Sequence, residues 1–382
     1  MNFASKIFKL IKLFFKGKLS LKKPYKKKIL IYDEEGSDEL LELLPENNLF
    51  ILDVRGNEIN LRIFFLSILK YNFRWTFFKY LIFFIKEINP DFIITLIDNN
   101  STFYKLKRIF KDSKTIFLQN GIRGYENDIF SNLHENKINF NDFHVDEMLV
   151  WNKKTGENYN KFIKGNYEVI GSIKNNRIEI NQKEKKYKLL FLSEYRNKKS
   201  FGINPSWDSY YATEKKIIPY LYSFAEKKNI KLFICSNTFN YEEENEFYSK
   251  LIKGKNWELL KRLDKDMSYK YLDKSDIVVF ISTALGYEAL SRGCKVAAFT
   301  TRSETTNIRS HKFGWPYLFE KNSDDFWTNN FDKDKFDEIL SNLIQESQYK
   351  YKELIKKKYD YLIHFDPGNK ILKDKLKILK II

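Results

Sequence analysis

Residues 276–299 read DIVVFISTALGYEALSRGCKVAAF, and this stretch decides the fold. Residues 277–281 form the apolar, β-branched run that is typical of a strand buried on both faces. Small residues then open a helix, Arg292 and Gly293 end it, and residues 295–299 begin another strand. The stretch therefore predicts one strand-helix-strand unit of a parallel sheet.

Three small residues lie where this helix begins: Ser282, Thr283 and Gly286. Backbone N–H groups and two hydroxyls would converge there, and a helix N-terminus suits an anion such as a nucleotide phosphate. Glu288 lies in the next turn, where a carboxylate can accept hydrogen bonds from a ribose diol. A plain N-cap followed by an exposed glutamate fits the same residues, so local chemistry leaves both interpretations open.

The segment STALGYEALSRGCKV, residues 282–296, resembles the donor-binding segment of glycosyltransferases with the GT-B architecture. Its Gly-aromatic-Glu-Ala-Leu pattern and the Lys-Val pair that follows are similar to those of bacterial capsule and surface-polysaccharide enzymes, including Kdo-transferase-like proteins. The resemblance implies an α/β fold of two facing Rossmann-like domains. It also implies that Ser282, Thr283, Gly286 and Glu288 bind the donor.

The length of the chain, 382 residues, fits two domains of similar size. Strand and helix patterns alternate in both halves, which predicts parallel sheets. Residues 173–186 are polar and charged and make the predicted linker. The predicted parts are a basic amphipathic segment (1–27), an N-terminal Rossmann-like acceptor domain (28–172), a C-terminal Rossmann-like nucleotide-sugar donor domain (187–345) and C-terminal helices (346–382).

The net charge of +17 calls for an acidic partner: a nucleic acid, an anionic membrane, or a phosphorylated or acidic sugar. No nucleic-acid-binding module is recognisable, so we expect no nucleic acid partner. Lysines alternate with Phe, Leu and Ile in residues 1–27, which predicts a basic amphipathic helix on an anionic membrane surface. Packing of that helix on the protein's own core is the alternative. Residues 61–88 read as one long aromatic helix, either core or a second lipid-facing patch.

Polar side chains follow two predicted strands of the first half. Asp98 and Asn99 end the strand at 90–98, and Gln119 and Asn120 end the strand at 114–120, with Arg123 close behind. Ligands of open α/β sheets lie at the carboxyl ends of the strands. These strand ends also resemble those of bacterial surface-carbohydrate biosynthesis proteins. We predict that Asp98 is the general base, or else a residue that closes its strand, and that the other four bind the acceptor.

Two strand ends of the second half complete the predicted donor site. Ser193 and Glu194 follow the strand at 187–192, and Glu194 contacts the base or sugar or else forms a structural salt bridge. Arg302 follows the strand at 295–299 and is placed to meet a phosphate or a sugar carboxylate. Cys235 and Cys294 lie in or beside apparent buried strands, which favours a reducing cytoplasm.

Several motifs are missing from the sequence. An Asp-X-Asp motif is not evident in a context that suits a metal site, so we expect a metal-independent enzyme without a cofactor. The missing Walker loop argues against a nucleoside triphosphatase, and the missing nucleophile elbow argues against a hydrolase. The prediction is a cytoplasmic glycosyltransferase, peripheral on the inner face of the membrane. It would move a sugar from a nucleotide donor to a surface glycan or lipid-linked acceptor, an acidic CMP-activated sugar being one candidate. The alternatives are a CDP-glycerol-type polyol-phosphate transferase and a non-catalytic glycan-assembly protein that keeps the fold.

Overall fold

The computed structural model describes residues 18–123, 140–182, 184–201, 205–314, 318 and 321–382. Residues 1–17 of the predicted membrane-surface helix lie outside these ranges. The prediction was wrong for the residues just after them, because Lys18–Ser20 is a strand that pairs in parallel with Glu58–Asn60. No helix in the described ranges is both long enough and apolar enough to cross a membrane.

The first half of the chain alternates strands and helices. Its strands are β1 (Lys18–Ser20), β2 (Ile29–Tyr32), β3 (Leu49–Leu52), β4 (Glu58–Asn60), β5 (Phe92–Thr95), β6 (Lys114–Leu118), β7 (His144–Val150) and β8 (Lys164–Val169). Its helices are α1 (Asp38–Leu41), α2 (Leu61–Tyr71), α3 (Phe77–Ile88), α4 (Leu106–Ile109) and α5 (Lys153–Asn160).

The second half repeats this alternation. Its strands are β9 (Tyr187–Leu192), β10 (Leu232–Cys235), β11 (Trp257–Leu260), β12 (Ser275–Phe280), β13 (Lys295–Phe299), β14 (Ser323–Asp324) and β15 (Trp327–Thr328). Its helices are α6 (Ile173–Asn176), α7 (Trp207–Lys227), α8 (Tyr241–Leu251), α9 (Met267–Asp273), α10 (Ala284–Ser291), α11 (Arg302–Thr306), α12 (Lys333–Gln345), α13 (Gln348–Lys358) and α14 (Lys370–Ile378).

The first compact unit contains the described residues of 1–120, 138–173 and 369–382. Its six-stranded sheet is parallel throughout, in the order β3-β2-β5-β6-β7-β8. The last helix of the chain, α14, belongs to this unit, and its Leu372 and Leu376 join the core under the sheet. Lys375 on the same helix forms ion pairs with Glu147 at 2.8 Å and Glu168 at 3.1 Å.

The long helix predicted for residues 61–88 is two helices, α2 and α3. Asn72 has a positive φ of 45° with ψ of −131°, a backbone conformation outside the helical regions, which ends α2. The hydroxyl of Thr76 then accepts a hydrogen bond from the Lys79 N–H at 3.3 Å and caps α3. Asparagine tolerates positive φ and threonine is a good N-cap, so the break follows from local chemistry.

The second compact unit contains the described residues of 121–137 and 174–368. Its sheet has the order β11-β10-β9-β12-β13-β15-β14, and only the pairing of β14 with β15 is antiparallel. Strands β12 and β13 pair in parallel and are joined by α10, which confirms the unit predicted from residues 276–299. The buried Arg292 guanidinium holds the predicted linker segment to this unit, because it binds Asp273 at 2.6 Å and the carbonyl oxygens of Ile178 and Glu179.

Candidate functional site

The second sheet changes direction between β9 and β12. From β9 the chain builds outward through β10 and β11, and it then returns to the other side of β9 with β12. Ligands of open α/β sheets bind at the carboxyl ends of the strands that flank such a switch point. Ser193 and Glu194 directly follow β9, whereas Ser282 and Thr283 directly follow Ile281 at the end of β12. The topology therefore brings together four residues that the sequence predicts for the donor site.

The Glu194 carboxylate is the centre of a hydrogen-bonded cluster at these strand ends. It accepts hydrogen bonds from the Ser282 N–H at 2.7 Å, the Ser282 hydroxyl at 2.9 Å and the Tyr210 hydroxyl at 3.0 Å. Arg302 forms an ion pair with it at 2.6 Å. Burial opposes ionisation, but the charge of Arg302 and the hydrogen bonds from Ser282 outweigh it and lower the pKa of Glu194. The sequence left two roles open for Glu194, a contact with the base or sugar and a structural salt bridge. The geometry supports the salt bridge.

Arg302 is fully buried, although the sequence suggested an exposed anion-binding side chain. One terminal nitrogen binds Glu194 and the other binds Glu214 on α7. The guanidinium carbon also lies 3.7 Å from the centre of the Tyr210 ring. Direct binding of a donor phosphate by Arg302 is therefore not supported, because the terminal nitrogens are occupied by the protein's own carboxylates. Its geometry is that of a residue that positions Glu194 and Ser282.

Glu214 was missed by the sequence reasoning. It has no exposed surface, and its Oε2 atom has no hydrogen-bond partner within the described residues. Burial raises its pKa to about 7, against the charge of Arg302 and with a further contribution from Glu194. A signal was present, because residue 214 shares a helix face with Tyr211, Ile218 and Leu221, all of which are buried.

His311 lies at the edge of the same cluster. Its ring meets Tyr210 edge to face at 5.9 Å, and its Nδ1 atom lies 2.9 Å from the Thr306 hydroxyl. Burial and the nearby Arg302 charge lower its pKa to about 4, so the imidazole is neutral at neutral pH. The cluster thus contains the Arg302 cation and the Glu194 carboxylate. It also contains Glu214 and His311, whose pKa values are shifted by burial.

Helix α10 begins beside this cluster. Thr283 is its N-cap and accepts a hydrogen bond from the Leu285 N–H at 3.3 Å. Residues 282–285 are partly exposed, whereas residues 286–290 of the helix are buried. Gly286 has a packing role, since a Cβ atom there would lie 2.2 Å from the Phe280 ring. The start of the helix can therefore meet a ligand, and Gly286 allows the helix to lie against β12.

Two other predicted donor residues are buried and hydrogen-bonded. The Ser193 hydroxyl accepts hydrogen bonds from Tyr248 at 2.7 Å and from the Tyr195 N–H at 3.1 Å. The Glu288 carboxylate accepts one from the Tyr269 hydroxyl at 2.9 Å. Within the described ranges, no three His, Cys, Asp or Glu side chains are grouped so that they could hold a metal ion.

In the first unit, Asp98 has a structural environment. It is fully buried, and its carboxylate accepts hydrogen bonds from the Tyr159 hydroxyl at 2.6 Å and the Asn120 N–H at 3.2 Å. A general base must reach the acceptor hydroxyl, so this position does not support the predicted catalytic role. The carboxylate instead holds the residue after β6 and helix α5 in place. This is the structural role that the sequence analysis gave as the alternative for Asp98.

The predicted acceptor residues separate into buried and exposed groups. Gln119 is buried, and its side-chain oxygen accepts a hydrogen bond from the Trp151 N–H at 2.8 Å. Asn99 is exposed and Asn120 is partly exposed. Arg123 is also partly exposed, but by its contacts it belongs to the second compact unit. The structure therefore leaves Asn99 and Asn120 as the accessible predicted residues in the first unit.

A cavity of about 400 Å³ opens beside Asn99. It lies at the carboxyl ends of β2, β3 and β5, and the first sheet changes direction between β2 and β5. Its lining residues are Asp33, Val54, Arg55, Ile97, Asn99, Asn100 and Ser101. Arg55 forms an ion pair with Asp33 at 2.9 Å and a second with Glu35. The sequence did not predict this group of charged residues, because they come from three separate loops, after β2, β3 and β5.

Comparison with known proteins places the chain among surface-glycan proteins. A family model described as "putative O-antigen biosynthesis protein" matches residues 116–380, more than half of the chain. No curated protein sequence gives a significant match.

Several solved structures share the fold. The UDP-GlcNAc 2-epimerase from Neisseria meningitidis, bound to UDP-GlcNAc, has a TM-score of 0.52 and 14% identity over 92% of this chain and 100% of its own. MnaA from S. aureus, solved with UDP, has a TM-score of 0.54 and 13% identity over 93% and 98%. The wall teichoic acid polymerase TagF has a TM-score of 0.53 and 12% identity over 93% and 89%. These matches confirm the predicted α/β fold class of two Rossmann-like units, as in GT-B proteins.

Proposed function

Because the chain belongs to this family of O-antigen biosynthesis proteins, we propose that it is a glycosyltransferase of surface-glycan assembly. It transfers a sugar from a nucleotide donor to a glycan or lipid-linked acceptor. The observation that carries the proposal is the convergence of Glu194, Ser282 and Thr283 at the switch point of the second sheet, where helix α10 begins.

The donor phosphate is proposed to bind at the start of α10. Residues 283–285 are partly exposed, and the positive end of the helix dipole there suits an anion. Arg302 neutralises Glu194, so that the buried carboxylate does not repel the phosphate. Glu288 remains the proposed ribose contact. A CMP-activated acidic sugar remains one candidate donor, and the solved neighbours bound to UDP-GlcNAc or UDP make uridine nucleotides another.

The acceptor is proposed to bind in the first unit, in the cavity beside Asn99. Arg55, Asn99 and Asn100 offer hydrogen-bond donors there, and Asp33 offers an acceptor, a mixture that suits sugar hydroxyls. Asn120 remains a proposed acceptor contact in this unit, and the acceptor role of Arg123 remains a prediction from the sequence. Asp98 is proposed as a positioning residue that holds the backbone of Asn120 through its N–H.

Binding of the nucleotide tests the donor site directly. Titration calorimetry with UDP, CMP, CDP and GDP should identify one base, and Glu288→Gln should weaken its binding at least about tenfold, because hydrogen bonds to a charged group contribute about 1.5–3 kcal/mol. The exposed Glu353→Gln should bind as the wild type does. If Glu288→Gln binds the nucleotide as tightly as the wild type, the donor-site proposal fails.

Product analysis tests the reaction. Incubation with UDP-sugars, CMP-sugars and CDP-glycerol, together with membrane glycolipids, should release nucleotide only with a nucleotide-sugar. Release from CDP-glycerol alone would indicate a polyol-phosphate transferase. Conversion of UDP-GlcNAc to its C2 epimer without transfer would indicate an epimerase, the activity named for one solved structure of this fold. Nucleotide binding without turnover of any of these substrates would favour a non-catalytic assembly protein.

A further inference from the structure

Helix α2 carries apolar side chains on both of its faces. Ile63 and Phe64 are buried in the first unit. On the opposite side, Phe65 is 57% exposed and Leu69 is 72% exposed. The outward face of a helix in a globular unit is normally polar, so these exposed side chains need an explanation.

Strand β1 extends this apolar surface. It contacts α2, and it pairs with β4, which ends at Asn60 where α2 begins. The Asn60 side-chain amide donates a hydrogen bond to the Lys22 carbonyl oxygen at 2.6 Å and holds the segment after β1 in place. Leu19 and Leu21 are 50% and 73% exposed. We call the exposed apolar side chains Leu19, Leu21, Phe65, Leu66 and Leu69 the α2 face.

The charged residues that flank the α2 face in sequence are mainly positive, with the exposed Glu58 on β4, in register opposite Lys18, as an acidic exception. Residues 59–86 contain Arg62, Lys70, Arg74, Lys79 and Lys86 but neither Asp nor Glu. The described residues 18–32 contain six lysines and likewise no acidic residue. On α2 itself, Arg62 and Lys70 are exposed beside Phe65 and Leu69. A partner that covers this face must therefore offer apolar and anionic groups together.

We propose that the α2 face docks on an anionic lipid bilayer. Phe65 and Leu69 would enter the boundary between the headgroups and the acyl chains, while Arg62 and Lys70 would lie among the lipid phosphates. A bilayer supplies both kinds of group within a few ångströms of each other, as basic amphipathic surfaces require. This contact is made by helix α2 with Leu19 and Leu21 beside it, and not by the helix predicted for residues 1–27. It does not depend on the proposed activity.

A fluorophore at Leu69 reports whether the face enters the lipid. The native cysteines, Cys235 and Cys294, are buried, so Leu69→Cys creates the accessible thiol for an environment-sensitive dye. With the full chain and phosphatidylglycerol-containing vesicles, we expect a blue shift and quenching by spin-labelled acyl chains. The matched control is Leu263→Cys in the second unit, where Leu263 is 71% exposed, and its dye should show neither effect.

The opposite results would overturn the proposal. A dye at residue 69 that is not quenched by acyl-chain labels would show that the face stays out of the lipid, even if residues 1–17 attach the protein to vesicles. A blue shift without vesicles that grows with protein concentration would show that a second copy of the chain covers the face. Both labelled variants should bind nucleotide as the wild type does, which separates this test from that of the donor site.

Charge removal provides a second measurement. Arg62→Gln combined with Lys70→Gln should weaken binding to phosphatidylglycerol vesicles about 25-fold, at about fivefold for each cation. The same removal at exposed Lys356 and Lys357 on α13 should leave binding unchanged. Equal losses from the two double variants would mean that net charge alone drives binding, and the proposal of a specific face would fail.

Discussion

The buried carboxyl of Glu214 makes the stability of the second unit depend on pH. Its Oε1 atom binds Arg302, whereas Oε2 has no partner within the described residues. Burial raises the pKa of Glu214 from its ordinary 4.5 to about 7. In the window between these two values the folded chain keeps a proton that the unfolded chain has already lost. The free energy of unfolding therefore falls as pH rises through this window.

The expected magnitude follows from the two pKa values. A tenfold change in proton affinity corresponds to about 1.4 kcal/mol, so full ionisation of Glu214 should cost the folded state about 3 kcal/mol. Glu194 acts in the opposite sense. Its lowered pKa gives stability above the unfolded pKa, and that stability is lost as pH falls through the folded pKa. The two contributions can be separated, because the Glu194 contribution is confined to more acidic solution.

Urea unfolding of Glu214→Gln at several pH values tests this reasoning. Between about pH 5 and pH 8 the wild type should lose about 3 kcal/mol relative to the variant, which has no proton to release at this position. Glu226→Gln, on the exposed face of the same helix, should keep the wild-type profile. The reasoning is refuted if wild type and Glu214→Gln show the same dependence of unfolding free energy on pH.

Two further substitutions test the packing of the second unit. Gly286→Ala should lower the free energy of unfolding by about 1–3 kcal/mol, because its Cβ atom would meet the Phe280 ring, and an unchanged urea midpoint would contradict this packing role. Arg292→Met should lower the free energy of unfolding by about 3–5 kcal/mol, because it leaves the Asp273 carboxylate buried without its ion-pair partner. Calorimetry should show a lower Tm for this variant and an unchanged Tm for Arg309→Met, a substitution at an exposed arginine.

The sequence predicted those parts of the fold whose causes are local. The apolar run at 277–281, the cap at Thr283 and the Arg292-Gly293 stop define β12 and α10 with little help from the rest of the chain. The polar residues that follow strands in each half also indicated the carboxyl edge of each sheet, but they did not give the strand order and so did not locate the switch points. The break at Asn72 was local too, but a continuous aromatic pattern on both sides concealed it.

Ion-pair and hydrogen-bond partners that are distant in sequence and that only the fold brings together could not be predicted from the sequence. Arg302 reads as a free cation after a strand, because nothing near it in sequence shows that Glu194 and Glu214 surround it. Asp98 reads as an accessible acid at a strand end until Tyr159, 61 residues away, covers it. Arg55 and Asp33 meet across two loops of the first unit in the same way. In each case the missing information was the register of neighbouring strands and helices.

The burial of Arg302 changes how the proposed donor site would hold an anion. An exposed arginine would supply its own charge but would have to be ordered when the ligand binds. Here the guanidinium binds Glu194, and Glu194 in turn accepts both the N–H and the hydroxyl of Ser282. The turn from β12 into α10 is thereby fixed before any ligand arrives. A phosphate would then meet backbone dipoles that need no reorientation, which is the arrangement that best stabilises charge developing on a leaving nucleotide.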